Sequence, residues 1–530
     1  MVKQYLLIIL VALSISSQSQ TRIELLNANS LEYDEDNGAA KRLLGNVSFK
    51  HESALMYCDS AYLYPDNSLD AFGNVHIQQG DTLNLYGQLL KYNGNTKMAE
   101  LTQQVRLIDK DITLTTEFLK YNLASDLANY SGGGKIVNKE NTLTSINGYY
   151  FAKSKDFYFK HRVILVNPEY TVSCDTLKYN TLSEIAYFLS PTQIVGKENT
   201  IYCENGWYDT KKNIAQFNKN ARLTNPKQQL KGDSLYYNRN KGYGKAMHNI
   251  EVRDTSENII ITGELGEYFE LEDNSIVTGN ALLIQIYDKD SLFLHADLLR
   301  ATTDSALALQ TKSDSKATIV APKTKKKSTK DAAVANSNQS QIKKNGRVLL
   351  AYHKVKFFKS DMQGKCDSLV FSYKDSIMHL YTHPVIWSDK NQLTGDSISI
   401  HTYHGKLESL DIKYNALIVS QEDSVRFNQI KGKTMKGLFA KNALSRLNVN
   451  GNGQTIYYAK DKEALIGVNK TDCSNMIILI KENKVDRITF ITKPDATMFP
   501  MEELSPKDLL LRDFKWYGDI RPLKKNDIFN

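Results

Sequence analysis

The chain has 530 residues, of which 24% are charged and 10% are aromatic, and its formal net charge is +8. Residues 310–347 alone hold ten Lys or Arg and two Asp, so the rest of the chain is close to neutral. This distribution excludes an extended basic surface and, with it, nucleic acid as the expected partner.

The N-terminus has the three parts of a secretory signal peptide. Lys3 precedes an apolar run from Tyr5 to Leu13, and a stretch rich in Ser and Gln follows as far as Gln20. The run is too short to cross a bilayer as a mature helix. We therefore expect residues 1–20 to be removed during export.

After this segment a five-residue phrase recurs about every 29 residues, as in Asp59-Ser-Ala-Tyr-Leu63 and Asp233-Ser-Leu-Tyr-Tyr237. Its first residue, here called the anchor, is Asp, Glu, Asn or Gln. The second and fourth residues after the anchor are mostly apolar, and the residue between them is polar in some copies and apolar in others. This period of two predicts a strand with one face turned inward, and the fixed repeat predicts a stack of such units.

The two apolar columns are the candidate binding surface, because they would line any groove inside the stack. They are first of all expected to form a core; holding acyl chains is their functional interpretation. The candidate inward residues are Leu31, Tyr33, Leu63, Leu90, Tyr92, Leu119, Tyr121, Phe151, Leu177, Tyr179, Tyr208, Leu235, Tyr237, Tyr268, Leu369 and Phe371.

The corners of the stack are predicted from small and polar residues. Gly-Asn pairs at Gly45, Gly73 and Gly279 introduce short strands, and the anchors are expected to cap these corners with their side chains. We predict an all-β array in which each repeat is one coil that advances by about 4.8 Å. Periodicity alone leaves open whether the coils form an open trough or a closed solenoid.

The chain has five cysteines, and four of them (Cys58, Cys174, Cys203 and Cys366) share the column before the anchor. The main expectation for this column is a small buried corner residue. Cys174 and Cys203 are expected in adjacent coils, which makes them candidates for a disulfide in an oxidising compartment.

No catalytic or metal-binding motif stands out. The sequence lacks GxSxG, HExxH, P-loop and GxGxxG motifs, and no CxxC or paired His accompanies the cysteines. We therefore predict no catalytic residues, no metal and no cofactor.

The expected domain boundaries follow the repeat. Residues 21–302 form a first array, residues 303–346 a disordered basic insertion and residues 347–445 a continuation of the array. Residues 446–530 form a strand-rich segment that ends in a short amphipathic stretch, Pro506 to Phe514.

The phrases Asn29-Ser-Leu-Glu-Tyr-Asp34, Gly45-Asn-Val47, Gly73-Asn-Val75 and Gly232-Asp-Ser-Leu-Tyr-Tyr237 resemble the OstA-like, LptA-type (organic solvent tolerance) family, most closely its long Bacteroidota-type members. The resemblance implies a V-shaped β-jellyroll of antiparallel strands that is not an enzyme. It implies a periplasmic bridge that carries lipopolysaccharide toward the outer membrane, with the lipid A acyl chains in the groove. Its partners would be other lipopolysaccharide-transport components, joined end to end by strand addition.

Two alternatives from other functional classes remain. One is a closed β-solenoid that serves as a scaffold or adhesin, and the other is a β-helix enzyme acting on polysaccharides. A dry interior without bound lipid would favour the first, and turnover on glycans that is lost with a single carboxylate change would favour the second.

Overall fold

The computed structural model describes residues 21–34, 40–288, 290–303, 346–403, 406–440, 443–461, 464–481 and 484–530. The predicted signal peptide and nearly all of the basic insertion, residues 304–345, lie outside these ranges. The chain divides into two compact units, Met1–Leu223 and Thr224–Asn530.

In the first unit the described residues form nineteen β-strands and no α-helix. The strands are β1 (Glu24–Asn27), β2 (Ser30–Asp34), β3 (Ala40–His51), β4 (Ala54–Leu63), β5 (Ser68–Gln79), β6 (Leu83–Asn93), β7 (Met98–Asp109), β8 (Ile112–Asn122), β9 (Leu127–Tyr130), β10 (Gly134–Asn138), β11 (Asn141–Ser145), β12 (Asn147–Phe151), β13 (Asp156–Val166), β14 (Tyr170–Asn180), β15 (Ile185–Phe188), β16 (Thr192–Gly196), β17 (Thr200–Cys203), β18 (Asn205–Asp209) and β19 (Ile214–Thr224).

In the second unit the described residues form seventeen strands and four short 3-10 helices. The strands are β20 (Gln228–Asn238), β21 (Tyr243–Asp254), β22 (Ile259–Phe269), β23 (Asn274–Ile286), β24 (Ser291–Thr303), β25 (Arg347–Lys359), β26 (Met362–Ser372), β27 (Ile377–Tyr381), β28 (Val385–Ser388), β29 (Asn391–Thr394), β30 (Ser397–Tyr403), β31 (Lys406–Gln421), β32 (Phe427–Ala440), β33 (Ala443–Asp461), β34 (Ala464–Lys481), β35 (Lys484–Ile491) and β36 (Asp495–Phe499). The 3-10 helices are Arg239–Lys241, Glu270–Glu272, Gly518–Ile520 and Lys525–Phe529.

Both units are all-β with antiparallel pairing, which confirms the predicted fold class. From β3 to β8 each strand pairs with the next one along the chain. Each 29-residue repeat is therefore a hairpin of two strands, and the prediction of one coil per repeat was wrong. A repeat advances by two strand spacings, about 9.5 Å, rather than one.

A crease divides each long strand into two halves. In β5, Gly73 and Asn74 have φ of 73° and 46°, and the pairing with β6 shifts register between Phe72 and Val75. Two successive left-handed residues bend the strand, and Gly and Asn adopt this conformation most readily. The Gly-Asn pairs thus lie inside long strands instead of introducing new ones.

The anchors lie on the strand beside each crease and contact the left-handed residues of that crease, instead of capping the backbone of their own turn as predicted. The Asn74 side-chain amide donates to Asp59 Oδ2 at 2.9 Å, and Asn249 donates to Asp233 Oδ2 at 2.8 Å. The same contact joins Asn220 to Glu204 at 2.7 Å. Each acidic anchor therefore holds a left-handed residue of the neighbouring strand.

The creases give each unit two arms that face each other. Arm A contains halves such as Val75–Gln79 and Leu83–Gly87, and arm B contains halves such as Ser68–Phe72 and Leu89–Asn93. The hairpin turns lie along the free edges of the arms, here called the rims, and the space between the rims is the mouth. This arrangement is a two-armed jellyroll trough rather than a closed barrel.

The second unit has a large core on the inner face. Leu294, Phe357, Leu369, Ile386 and Met476 are buried there together. The strands that flank the basic insertion pair directly, since Thr303 lies opposite Arg347. The creases continue to β33, where Gly451 and Asn452 form another left-handed pair and the register with β34 shifts.

Candidate functional site: the inner face of the trough

The inner face is built by strict alternation along each strand. In β6, Leu83, Leu85, Gly87, Leu90 and Tyr92 are buried, while the other residues of the strand are more exposed. In a pleated strand every second side chain points to the same face. The two inner faces pack against each other, so the apolar columns first of all form a core.

The sixteen candidate groove residues differ widely in burial. Those buried in the structure are Leu90, Tyr92, Leu119, Tyr121, Leu177, Leu235 and Leu369. Those of intermediate burial are Leu63, Tyr179, Tyr208 and Phe371. Those exposed are Leu31, Tyr33, Phe151, Tyr237 and Tyr268.

One of the candidates points the wrong way. Phe151 is exposed, whereas its neighbour Tyr150 is buried and stacks on Phe157 with ring centroids 4.1 Å apart. Ile146, not Asn147, lies opposite the crease of β13, so Ile146 is the position equivalent to the other anchors and the predicted columns are displaced by one residue here. Because a shift of one residue exchanges the two faces of a strand, Tyr150 takes the inward position predicted for Phe151.

Three bridges join the two rims of the first unit across the mouth. On the arm A side the residues are His51, Glu52 and Asp109; on the arm B side they are Tyr92, Lys97, Tyr150 and Lys155. His51 Nδ1 lies 2.5 Å from Tyr92 Oη, and Lys97 Nζ donates to Glu52 Oε1 at 2.6 Å. The bridged residues lie 41 to 46 positions apart in the chain.

The third bridge is centred on Asp109, whose side chain is only 3% exposed. Its carboxylate accepts hydrogen bonds from Lys155 Nζ at 2.7 Å, Thr82 Oγ1 at 2.9 Å and the Tyr150 hydroxyl. Burial by itself raises the pKa of Asp109, but these three donors outweigh burial and leave it below its ordinary value. Asp109 is thus a carboxylate held between the arms.

The inner face of arm B has a different character in β20–β22 of the second unit. Gly244, Ala246 and Gly266 occupy inward positions there, and small residues leave room beside their larger neighbours. Tyr237 is 36% exposed and Tyr268 is 43% exposed. The Tyr237 hydroxyl donates to Glu270 Oε2 at 2.9 Å. This part of the inner face presents accessible aromatic and small apolar groups together.

The predicted disulfide does not form. Cys174 and Cys203 are both free, and Thr192 pairs with each of them from the strand that lies between. The two cysteines are therefore two strand spacings apart, about 9.5 Å, which exceeds the reach of a disulfide. Cys58, Cys203 and Cys366 are buried, as the corner column predicted, and burial raises the pKa of each thiol to about 12.

The C-terminal residues form an element that the sequence analysis did not predict. Residues 500–530, here called the strap, cross the outer face of arm A in the second unit. Three buried glutamines, Gln363, Gln392 and Gln429, lie in one row across the strands beneath it. The predicted amphipathic stretch lies within the strap, where Leu509 and Leu511 pack on Ile456, Tyr458 and Val468.

The glutamines hold the backbone of the strap. Gln392 donates to Lys515 O and accepts from Tyr517 N, both at 2.7 Å. Gln429 donates to Leu509 O and accepts from Leu511 N, both at 2.8 Å. Gln363, Gln392 and Gln429 are separated by 29 and 37 residues, and these spacings place their side chains in one row. The sequence alone does not reveal the strap, because a single outward Gln in a strand gives no sign of what it binds.

The described residues contain no group of three or more His, Cys, Asp or Glu side chains placed to hold a metal ion. No helix in the described part of the chain is long and apolar enough to span a membrane.

A creased antiparallel trough with an apolar inner face and acidic anchors at its creases defines the class: a two-armed β-jellyroll. The family models make this specific. Residues 20–175 and 169–233 match the model of the OstA-like protein, and residues 260–406 match the model of the LptA/(LptD N-terminal domain) LPS transport protein. The chain belongs to the OstA-like family, whose role is in lipopolysaccharide transport. These families are transport domains rather than enzymes. None of the curated proteins matches this chain.

Proposed function

We propose that this protein is a periplasmic bridge that carries lipopolysaccharide toward the outer membrane, with the acyl chains held against the inner face of its trough. The observation that carries the proposal is the accessible inner face of β20–β22. Tyr237 and Tyr268 offer exposed ring surface there, and Gly244 and Gly266 add no side chain to this part of the inner face. Burial of each methylene group contributes about 0.8 kcal/mol, so a multi-acyl lipid would be held strongly.

Partner binding would use the unpaired strands at the ends of the array. In the first unit, β1 and β2 pair only with β3, and Leu26, Leu31 and Tyr33 are exposed on them. In the second unit, β35 and β36 pair only with β34. Unpaired backbone groups with exposed apolar side chains favour strand addition by another transport component.

The test is site-specific photocrosslinking in cells that make the full chain. A photoreactive residue at Tyr237 is expected to give an adduct with lipopolysaccharide. The matched control is Tyr236, the same residue type one position earlier on the opposite face. Adducts at neither position, with the protein folded and exported, would contradict lipid transport and favour a scaffold role.

A filled groove provides a second test. A Cβ atom at Gly244 would lie 3.6 Å from Tyr237 Cδ2 and 3.7 Å from Tyr268 Cβ, which are ordinary contacts. Gly244→Leu should therefore fold and occupy the space between the two rings, and the adduct at Tyr237 should fall by at least about tenfold. Lys245→Leu, the outward neighbour, should leave the adduct unchanged.

A further inference from the structure

The bridges across the mouth of the first unit have a consequence for the lipid. The trough of this unit is closed by contacts between its rims, and its inward residues, such as Leu119 and Tyr121, are fully buried. An acyl chain that enters sideways must separate the rims. Separation of the rims breaks Lys97 from Glu52 and Lys155 from Asp109.

Both lysines lie on the arm B rim, and each side chain is 30% exposed. When the mouth opens, each ammonium group loses a carboxylate partner that lies within 2.7 Å in the closed trough. An anionic headgroup at the mouth restores an equivalent partner, because Lys binds phosphate oxygens much as it binds carboxylate oxygens. A neutral headgroup leaves both cations without a partner.

We propose that Lys97 and Lys155, four strand spacings (about 19 Å) apart on the rim, each form a phosphate contact for a phosphorylated lipid, and that Glu52 and Asp109 occupy these two positions until the lipid replaces them. The mouth of the first unit is then selective, since it opens for anionic amphiphiles and stays shut against neutral ones of the same acyl composition. This inference rests on the proposed function and extends it to the recognition of the lipid.

The geometry distinguishes these two lysines from others on the same arm. Lys120 also forms an ion pair, with Glu100 at 2.6 Å, and its exposure is similar. That pair joins two neighbouring strands on the outer face of arm B, because Glu100 lies directly opposite Lys120 in the register. Opening of the mouth leaves it intact, so Lys120 is the matched control.

The experiment uses the purified full chain with a photoreactive residue at Tyr121, inside the first unit, or at Tyr237 in the second unit. Each protein is mixed with phosphorylated lipid A or with the same lipid after removal of its phosphates. The expected result at Tyr121 is an adduct yield at least about tenfold higher with the phosphorylated lipid. Lys97→Gln/Lys155→Gln should abolish this preference, and Lys120→Gln should retain it.

Two results would overturn the inference. One is equal labelling at Tyr121 by both lipids in the otherwise unchanged protein, and the other is an equal effect of Lys120→Gln. Labelling at Tyr237 without any labelling at Tyr121 would also reject it while leaving the proposed function standing. Loss of labelling at both positions would instead reject the proposed function. If the double variant melts early, Lys97→Gln alone keeps the test valid, because its pair with Glu52 is partly exposed.

Discussion

Gln392 should decide whether the strap stays on arm A. The side chain is completely buried, and it satisfies Lys515 O and Tyr517 N in the strap. Gln392→Met keeps the length and approximate shape of the side chain but removes both hydrogen bonds. Each of the two backbone groups left unsatisfied costs about 1–3 kcal/mol, so the docked state should lose about 2–6 kcal/mol.

The loss should appear as local release of the strap rather than as global unfolding, because the inner core of the second unit is untouched. Limited trypsin digestion followed by mass spectrometry measures this release, since Arg512 and Lys515 lie in the strap. If the strap opens and closes faster than trypsin cuts, the cleavage rate is proportional to the fraction of molecules with the strap released. A change of about 1.4 kcal/mol in the free energy of release then changes the cleavage rate about tenfold. Cleavage after these residues should therefore accelerate by at least about tenfold, with little change in the melting temperature.

The control is Gln193→Met, at an exposed outward position of arm A in the first unit, away from the strap. The reasoning fails if Gln392→Met leaves strap cleavage unchanged. It fails equally if Gln193→Met accelerates cleavage as much, because the effect would then not depend on the contacts to Lys515 and Tyr517.

Three further predictions concern the first unit. Gly148→Ala should destabilise the protein by about 1–3 kcal/mol in denaturant unfolding, because the new methyl group would overlap the buried Tyr130 ring; Gly87→Ala, whose nearest contacts would be 3.5 Å, should cost less. Asp109→Asn should cost about 1–3 kcal/mol at neutral pH. Because the folded-state pKa of Asp109 is lowered, its contribution is present above the ordinary pKa near 3.8 and is lost as pH falls below it, so wild type and variant should converge in acid. An equally large difference in unfolding free energy between wild type and Asp109→Asn at low pH would contradict a stabilising role of the ionised carboxylate. Cys174 and Cys203 should remain free after mild oxidation, so intact-mass measurement should show no loss of two hydrogens. Burial raises the pKa of Cys174 to about 11 and that of Cys203 to about 12, so alkylation of both thiols near neutral pH should be slow until the protein unfolds.

The repeat made the fold predictable because it combined a fixed length with a period of two. Leu90, Tyr92, Leu119 and Tyr121 took their predicted inward positions for this reason. The prediction failed at Phe151 because the sequence pattern takes Asn147 as the anchor, whereas the apolar Ile146 is the residue opposite the crease. A phrase placed one residue out of register exchanges the two faces of the strand.

The contacts across the mouth and under the strap were not predictable from the same pattern. His51 and Tyr92 belong to strands three apart, and Gln429 meets residues about 80 positions away. Such pairs depend on how the arms face each other and on where the last residues of the chain lie. Neither leaves a periodic trace in the sequence.

The size of the inward residues, rather than the repeat itself, separates a packed part of the inner face from an accessible one. In β6 and β8, Leu and Tyr occupy consecutive inward positions of arm B, and they fill the space up to the opposite arm. In β22, Gly266 takes the position that Leu90 and Leu119 hold in β6 and β8, and the neighbouring inward positions of β21 hold Gly244 and Ala246, while the antiparallel pairing is unchanged. Because glycine and alanine weaken a strand without adding packing, their presence at these inward positions is the physical reason to place the proposed ligand groove here.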